Sequence, residues 1–386
     1  MTDRLSARAI LEALVGFPTV SSVSNLDLIV WVERYLASHG IKSHRHYDPT
    51  GTKAAVFAHV GPMEAGGVVL SGHTDVVPVE GQAWDTDPFT VIERDGRLYG
   101  RGTCDMKGFD ALAIWALVEA KYAGVTRPLQ LALSYDEEIG CIGAPGMIEA
   151  MADLPRATAV IVGEPSMMKA VSGHKGTSSY HVHVRGHEVH SSMLHTGVNA
   201  IMYGVRLIEW ANAKNAEGLA AKPSELASVF NPPCSTVHVG QISGGTAHNI
   251  TAKDCEFELD FRVVPGEAVA DWQAAFLDVV RDVETDMQAV VTEAGIDLTL
   301  GFDVPPLVPE ADGEAEALVR RLTGDNSANV VSYATEGGQF QQAGYSTVVC
   351  GPGDIAQAHQ PNEFIDVAQL DAGEVFMRQL LKELVG

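Results

Sequence analysis

Short apolar runs alternate with helix-period segments along the first 165 residues of this chain, and three of the runs lead straight into an imidazole or a carboxylate. Residues 54–58, 68–70, 129–134 and 159–162 read as buried strands, and residues 6–15, 25–39, 108–122 and 143–152 carry apolar positions at helical spacing. Residues 81–100 read as a β-rich excursion. Strands that alternate with helices build a mostly parallel sheet covered on both faces. Ligands of such α/β sheets bind beyond the carboxyl ends of the strands. His73, Glu137 and Glu164 each follow a strand, so they are expected along one rim.

The pattern changes near residue 177. Segments 178–184, 235–242 and 255–263 alternate apolar and polar residues, which leaves one face of each exposed, and residues 296–302 read as a final strand. Helical segments 198–212 and 268–291 lie among them, giving the βαββαβ order of a ferredoxin-like α+β arrangement. A helix at 315–322, a core strand at 347–350 and a closing helix at 367–384 then resume the first pattern. A chain of 386 residues exceeds one ordinary core. We therefore expect an α/β catalytic domain formed by residues 1–176 and 304–386, with residues 177–303 inserted as a ferredoxin-like lid or dimerisation domain.

Composition narrows the function. A net charge of -24 disfavours nucleic acid and anionic lipid as partners. No run approaches the roughly 18 apolar residues of a membrane span. The first residues lack the apolar stretch of a signal peptide, so a cytoplasmic enzyme is expected. The five cysteines include no CxxC pair and read as reduced thiols.

The chemistry lies in acidic and histidine residues. His73 and Asp75 stand two apart at a strand end, where the carboxylate can take the second ring N–H and fix the tautomer of a metal-bound imidazole. Asp105 lies in the Gly-rich stretch 100–108, just before a helix. There it can cap the helix or bridge two cations with its two oxygens. Asp136, Glu137 and Glu138 repel one another unless water or metal intervenes. Neighbouring residues project differently, so Glu138 can ligate while Glu137 faces a water as general base and then general acid. Glu164 and His359, in the stretches 162–165 and 357–361, complete the set.

This ordered set resembles, over essentially the whole chain, the zinc-dependent metallopeptidase and amidohydrolase family that includes acetylornithine deacetylase, succinyl-diaminopimelate desuccinylase, glutamate carboxypeptidases and aminoacylases. The resemblance implies two Zn2+ per subunit, and Co2+ and Mn2+ accept the same donors. It implies His73 and Glu164 on one ion, Glu138 and His359 on the other, and Asp105 between them. Glu137 is then the catalytic base, Asp75 the partner of His73, and the peptide after Asp105 is cis.

In the stretch 186–192, His190 matches an oxyanion-stabilising residue that reaches the site from a partner subunit, which implies a homodimer through the lid domain. Asn249 and Arg262 match positions that hold the substrate carboxylate, and a guanidinium can pair bidentately with it. Glu336 is a candidate partner for a cationic substrate side chain or a structural hydrogen-bonding group, and His174 and Lys175 are candidates to line the pocket. Residues 72–90, 102–109, 174–176, 333–336 and 351–362 are most similar to acetylornithine deacetylase. That likeness implies hydrolysis of N2-acetyl-L-ornithine to L-ornithine and acetate, a step of arginine biosynthesis. The same chemistry on another small N-acyl-amino acid, such as acetylcitrulline or succinyl-diaminopimelate, is the alternative. A noncatalytic binding protein on this scaffold would lack the base or a ligand, and none is missing.

Overall fold

The computed structural model describes residues 4–386. In chain order its elements are α1 (Ala7–Val15), α2 (Leu26–Ser38), β1 (Ser43–Tyr47), β2 (Ala54–Val60), β3 (Val68–His73), β4 (Ile92–Arg94), β5 (Arg97–Tyr99), α3 (Lys107–Ala123), β6 (Leu129–Ser134), α4 (Ala144–Ala150), β7 (Ala159–Pro165) and β8 (Val171–His174). They continue with β9 (Gly176–Arg185), α5 (Ala200–Ala220), β10 (Thr236–Gly244), β11 (Asp254–Val263), α6 (Val269–Gln288) and β12 (Gly295–Val304). The last are α7 (Glu314–Thr323), β13 (Asn329–Val331), α8 (Gly337–Gln342), β14 (Thr347–Gly351), β15 (Phe364–Asp366) and α9 (Val367–Val385). One compact unit comprises Met1–Gly173, Pro309–Val330 and Thr335–Gly386, and the other His174–Val308 with Val331–Ala334.

An eight-stranded sheet in the order β1-β2-β6-β3-β7-β14-β8-β13 organises the first unit. Its centre is parallel: β3 pairs with β6 and β7, and β7 with β14. The flanks are antiparallel, through β1–β2, β2–β6 and β14–β8. Every residue of β3, β6 and β7 is buried, as their largely apolar sequences require when helices cover both faces. Helix α3 is buried on nearly all sides, against α1, α9 and the sheet, which its apolar periphery permits. The stretch 81–100 holds two short strands, β4 and β5, which join β15 in a three-stranded sheet, because turn-forming residues interrupt the rest.

Gly163 in β7 lets the Phe109 ring of α3 lie directly on the strand, and a Cβ there would come 1.9 Å from Phe109 Cγ. Gly163→Ala is therefore expected to destabilise the protein by about 1–3 kcal/mol through overpacking. The urea midpoint measures it, and an unchanged midpoint would mean that the ring can move aside freely.

The second unit carries the antiparallel sheet β10-β11-β9-β12 with α5 and α6. Counted within the unit, that order is 4-1-3-2 read from β12, the ferredoxin-like arrangement. Alternate residues of β11 are buried, so Phe257, Leu259 and Phe261 meet Val182, Val184 and Phe276 in one core. The other face is polar, with His181 paired to Glu258 at 2.7 Å and His183 to Asp254 at 2.9 Å. No helix among the described residues is long and apolar enough to cross a membrane.

Candidate active site

The four parallel strands at the centre of the large sheet each deliver a polar group at their carboxyl ends. His73 is the last residue of β3, and Glu164 stands one residue from the end of β7. Glu137 and Glu138 follow β6 after Asp136, which turns the chain in a left-handed conformation (φ 56°). His359 follows β14 and is itself left-handed (φ 62°). Asp105 enters from the turn before α3, and the Asp105–Met106 peptide is cis.

Asp105 lies between two imidazoles, with one oxygen toward each. His73 Nε2 is 3.2 Å from Asp105 Oδ1, and His359 Nε2 is 3.3 Å from Asp105 Oδ2. His73 Nε2 also lies 3.7 Å from Glu164 Oε1 and 3.9 Å from Glu137 Oε2. His359 Nε2 lies 2.9 Å from Glu138 Oε2. The donor atoms of His73, Glu137 and Glu164 fall within 4.8 Å of one another, as do those of His73, Asp105 and Glu138.

These residues fit divalent cations. Glu138 Oε1 and Glu164 Oε1 are buried and have no hydrogen-bond donor. Leaving such an oxygen unsatisfied is costly, and a cation removes that cost. Mixed imidazole and carboxylate donors suit zinc and its first-row neighbours.

Electrostatics points the same way. Burial pushes the Glu137 carboxyl above the usual range; His73 opposes this and the Glu138 charge adds to it. Burial and the Asp105 charge push Glu138 up, and Glu164 rises well above its ordinary value by burial and the nearby carboxylates. Asp105 goes the other way: burial alone would raise it, but hydrogen bonds to His359 and His73 hold it ionised. Hydrogen bonds to Asp105 and Glu138 lift His359 to about 10. Burial disfavours a charged His73, yet its bonds to Asp105 and Asp75 raise it well above normal. Without metal, then, the cluster holds protons where cations would otherwise sit.

Asp75 organises two neighbours at once. His73 Nδ1 approaches the backbone oxygen of Asp75 at 3.0 Å and its Oδ1 at 3.6 Å. The Asp75 carboxylate accepts from the backbone N–H of Glu137 at 3.1 Å and of Glu138 at 3.3 Å, and from Ser21 Oγ at 2.6 Å. One buried carboxylate thus fixes the backbone of both glutamates beside His73.

The other expected residues lie elsewhere. Glu336 is 1% exposed, and its two oxygens accept from the hydroxyls of Ser71, at 2.9 Å, and Ser134. Burial lifts it to about 7, the serines opposing. Its oxygens are thus taken up inside the sheet, at the level of β3 and β6. In the second unit His190 and Asn249 are exposed, and Arg262 Nε donates to Asp260 at 2.9 Å. Lys175 is buried, and its Nζ donates to the carbonyls of Pro232 and Cys234 at 2.9 and 2.8 Å, so it fastens a loop.

Several residues that support the site escaped the sequence reading. Ser21 is one. Asp110 is another, packed so closely under Gly72 that a Cβ there would come 2.1 Å from its Oδ1. Lys107, 0% exposed, donates to the Phe17 carbonyl at 2.8 Å, and burial draws its pKa down to about 7. Arg101 and Glu363 form a buried ion pair at 2.6 Å. Glu363 stands four residues beyond His359, and that closeness to a ligand candidate was the one signal available.

Comparison with known proteins adds the lineage. A family model described as peptidase family M20/M25/M40 matches residues 69–383. An acetylornithine deacetylase of Myxococcus xanthus is 34% identical over 399 residues, covering 100% of both chains. Among solved structures, an M20 family metallo-carboxypeptidase of Sulfolobus solfataricus superposes with a TM-score of 0.79 at 16% identity, over 98% of this chain and 99% of that one. A dinuclear metal-binding peptidase of Bacillus subtilis superposes with a TM-score of 0.64 at 14% identity, over 98% and 97%.

Proposed function

The chain belongs to peptidase family M20/M25/M40, and from that premise we propose that this metal-dependent amide hydrolase removes the acetyl group from N2-acetyl-L-ornithine, releasing L-ornithine and acetate. The observation that carries the chemistry is Asp105 set between two imidazoles, with buried carboxylate oxygens beside it that have no donor. The substrate assignment is supported by the end-to-end likeness to the Myxococcus deacetylase.

In this reading His73 and Glu164 would hold one zinc ion and Glu138 and His359 a second, with Asp105 a ligand common to both. The dinuclear relative from Bacillus subtilis supports the pair of ions. Bound divalent cations supply Lewis-acid activation of the water and of the amide carbonyl. Glu137 accepts the proton of the attacking water and passes it to the departing α-nitrogen. Asp75 keeps His73 and the backbone of Glu137 in register.

Residues 177–303 act as the lid, with residues 1–176 and 304–386 as the catalytic domain. Arg262 and Asn249 take the substrate carboxylate, and His190 of the partner subunit supports the oxyanion, so the active species is a homodimer. Motif resemblance is what supports these assignments. Glu336 is left out of the substrate contacts, because Ser71 and Ser134 occupy its oxygens.

The test is amine release by zinc-loaded protein from acetylornithine, acetylcitrulline, acetylmethionine and succinyl-diaminopimelate at equal concentration. Acetylornithine is expected to give the highest kcat/KM. Preference for another acyl-amino acid would sink the substrate assignment and leave the hydrolytic chemistry in place.

A further inference from the structure

Glu363 is 1% exposed and takes four donors from a single turn. Its Oε1 accepts from the backbone N–H of Cys104 at 2.9 Å and of Asp105 at 3.1 Å. Its Oε2 accepts from the backbone N–H of Gly102 at 3.0 Å and from Arg101 Nη1 at 2.6 Å. Successive N–H groups that curl around one anion form a rigid concavity. Here the anion is a side chain of the protein, and the concave turn is the one that carries Asp105.

Arg101, equally buried, also reaches other segments through its two Nη groups. Nη1 reaches the carbonyl of Gln360 at 3.3 Å, and Nη2 reaches Gln82 Oε1 at 2.6 Å and the carbonyl of Pro78 at 3.4 Å. Its guanidinium also lies over the Trp84 ring, 5.1 Å from the centroid. Gln82 Nε2 in turn donates to the carbonyl of His359 at 3.0 Å. One ion pair therefore joins three stretches: residues 78–84, which follow His73 and Asp75; residues 101–105, which end on Asp105; and residues 359–363, which begin on His359.

We propose that the Arg101–Glu363 pair positions the metal centre, holding the Asp105 turn and the His359 turn at the separation that lets Asp105 and His359 bind the same ion. This inference rests on the metal-site reading above. Neither residue touches substrate or the reacting atoms. His359 has the most need of such support: its side chain is 54% exposed, while that of His73 is 1% exposed and held within β3. Loss of the pair should therefore weaken the ion on the His359 side most, because that ion depends on both turns, whereas the one bound by His73 and Glu164 depends only on the Asp105 turn.

Metal-free protein titrated with Co2+ alone tests this, with visible absorption reporting each ion bound. Wild type is expected to take up two ions per chain. Glu363→Gln keeps the shape of the side chain but sets an amide among N–H donors. It is expected to bind one Co2+ about 10- to 100-fold more weakly, the usual effect of removing a hydrogen-bond partner behind a ligand, and to lose much less affinity for the other. Leu384→Ala, a core change in α9 that lowers stability without touching the site, is the control and should leave both affinities intact.

If Glu363→Gln does not fold, Gln82→Leu removes the link to His359 without stranding a buried charge, and it should weaken the same ion several-fold. Two wild-type Co2+ affinities in a folded Glu363→Gln, or equal loss of both ions in it and in Leu384→Ala, would overturn the positioning role alone. A wild-type protein that binds no Co2+ would overturn the metal-site reading and this inference together.

Discussion

Replacing Glu137 with glutamine is expected to lower kcat about a thousandfold while the protein still holds its metal ions. A positioned general base contributes between about a hundredfold and ten-thousandfold. The geometry alone permits a second role, because Glu137 falls within the same 4.8 Å cluster as His73 and Glu164. Metal content separates the two. As a base, Glu137 loses turnover and keeps metal; as a ligand, it loses both together. Glutamine preserves the volume, and the Glu137 N–H to Asp75 bond belongs to the backbone, so it survives the change. Kinetics and metal analysis on one sample decide the matter.

The second large effect concerns acidity. Stripped of metal, the protein should lose thermal stability as pH rises from about 5 to 7, whereas the metal-loaded protein should gain it. The sign follows from proton linkage. His359 is lifted from 6.5 to about 10, Glu336 from 4.5 to about 7, and Glu137 and Glu138 are also raised. A group whose folded pKa exceeds its unfolded value stabilises the fold below the unfolded pKa and loses that effect as pH climbs through the folded one. All four therefore act in the same direction in this window. Lys107 works oppositely, but its folded pKa of about 7 against 10.5 confines it to the region above pH 7. Asp105 and Asp75, both lowered, act only below the window.

Metal reverses the trend because cations and protons compete for the same oxygens and nitrogens, so affinity climbs as protons leave. Melting curves in chelator and in excess Zn2+, taken at several pH values, measure both slopes. Parallel slopes would mean that these groups do not bind metal.

The α/β class was readable because β3, β6 and β7 are largely apolar, with Gln130 a polar exception inside β6, and alternate with helix-period segments, the pattern of a sheet covered on both faces. The rim was readable for a related reason: His73, Glu137, Glu138 and Glu164 are the first polar residues after those runs, or close to it. Edge strands carry no such mark. β1, Ser-His-Arg-His-Tyr, is half-buried up to an exposed Tyr47 and has no apolar alternation, so its pairing with β2 is a tertiary fact. The Gly-rich stretch around Glu336 left two roles open for it, substrate partner or structural hydrogen-bonding group. Its partners, Ser71 and Ser134, come from strands far away in sequence. Glu363 was invisible for a further reason: three of its four donors are backbone N–H groups, which every residue but proline possesses.

The first unit is interrupted by the second, and this sets an order of events during synthesis. The ribosome releases His73, Asp105, Glu137, Glu138 and Glu164 early, but His359, Glu363 and the parallel strand β14 only near the end. Until then the central sheet lacks β14 beside β7, and the gathered carboxylates lack one of their two imidazoles. Contacts between such distant parts of a chain form late and slowly. A polypeptide broken off before β14 lacks both the strand that pairs with β7 and the candidate ligand His359, and it leaves the edge of β7 open to wrong pairing. Completion of the centre thus reports, within the molecule itself, that translation has run past residue 363.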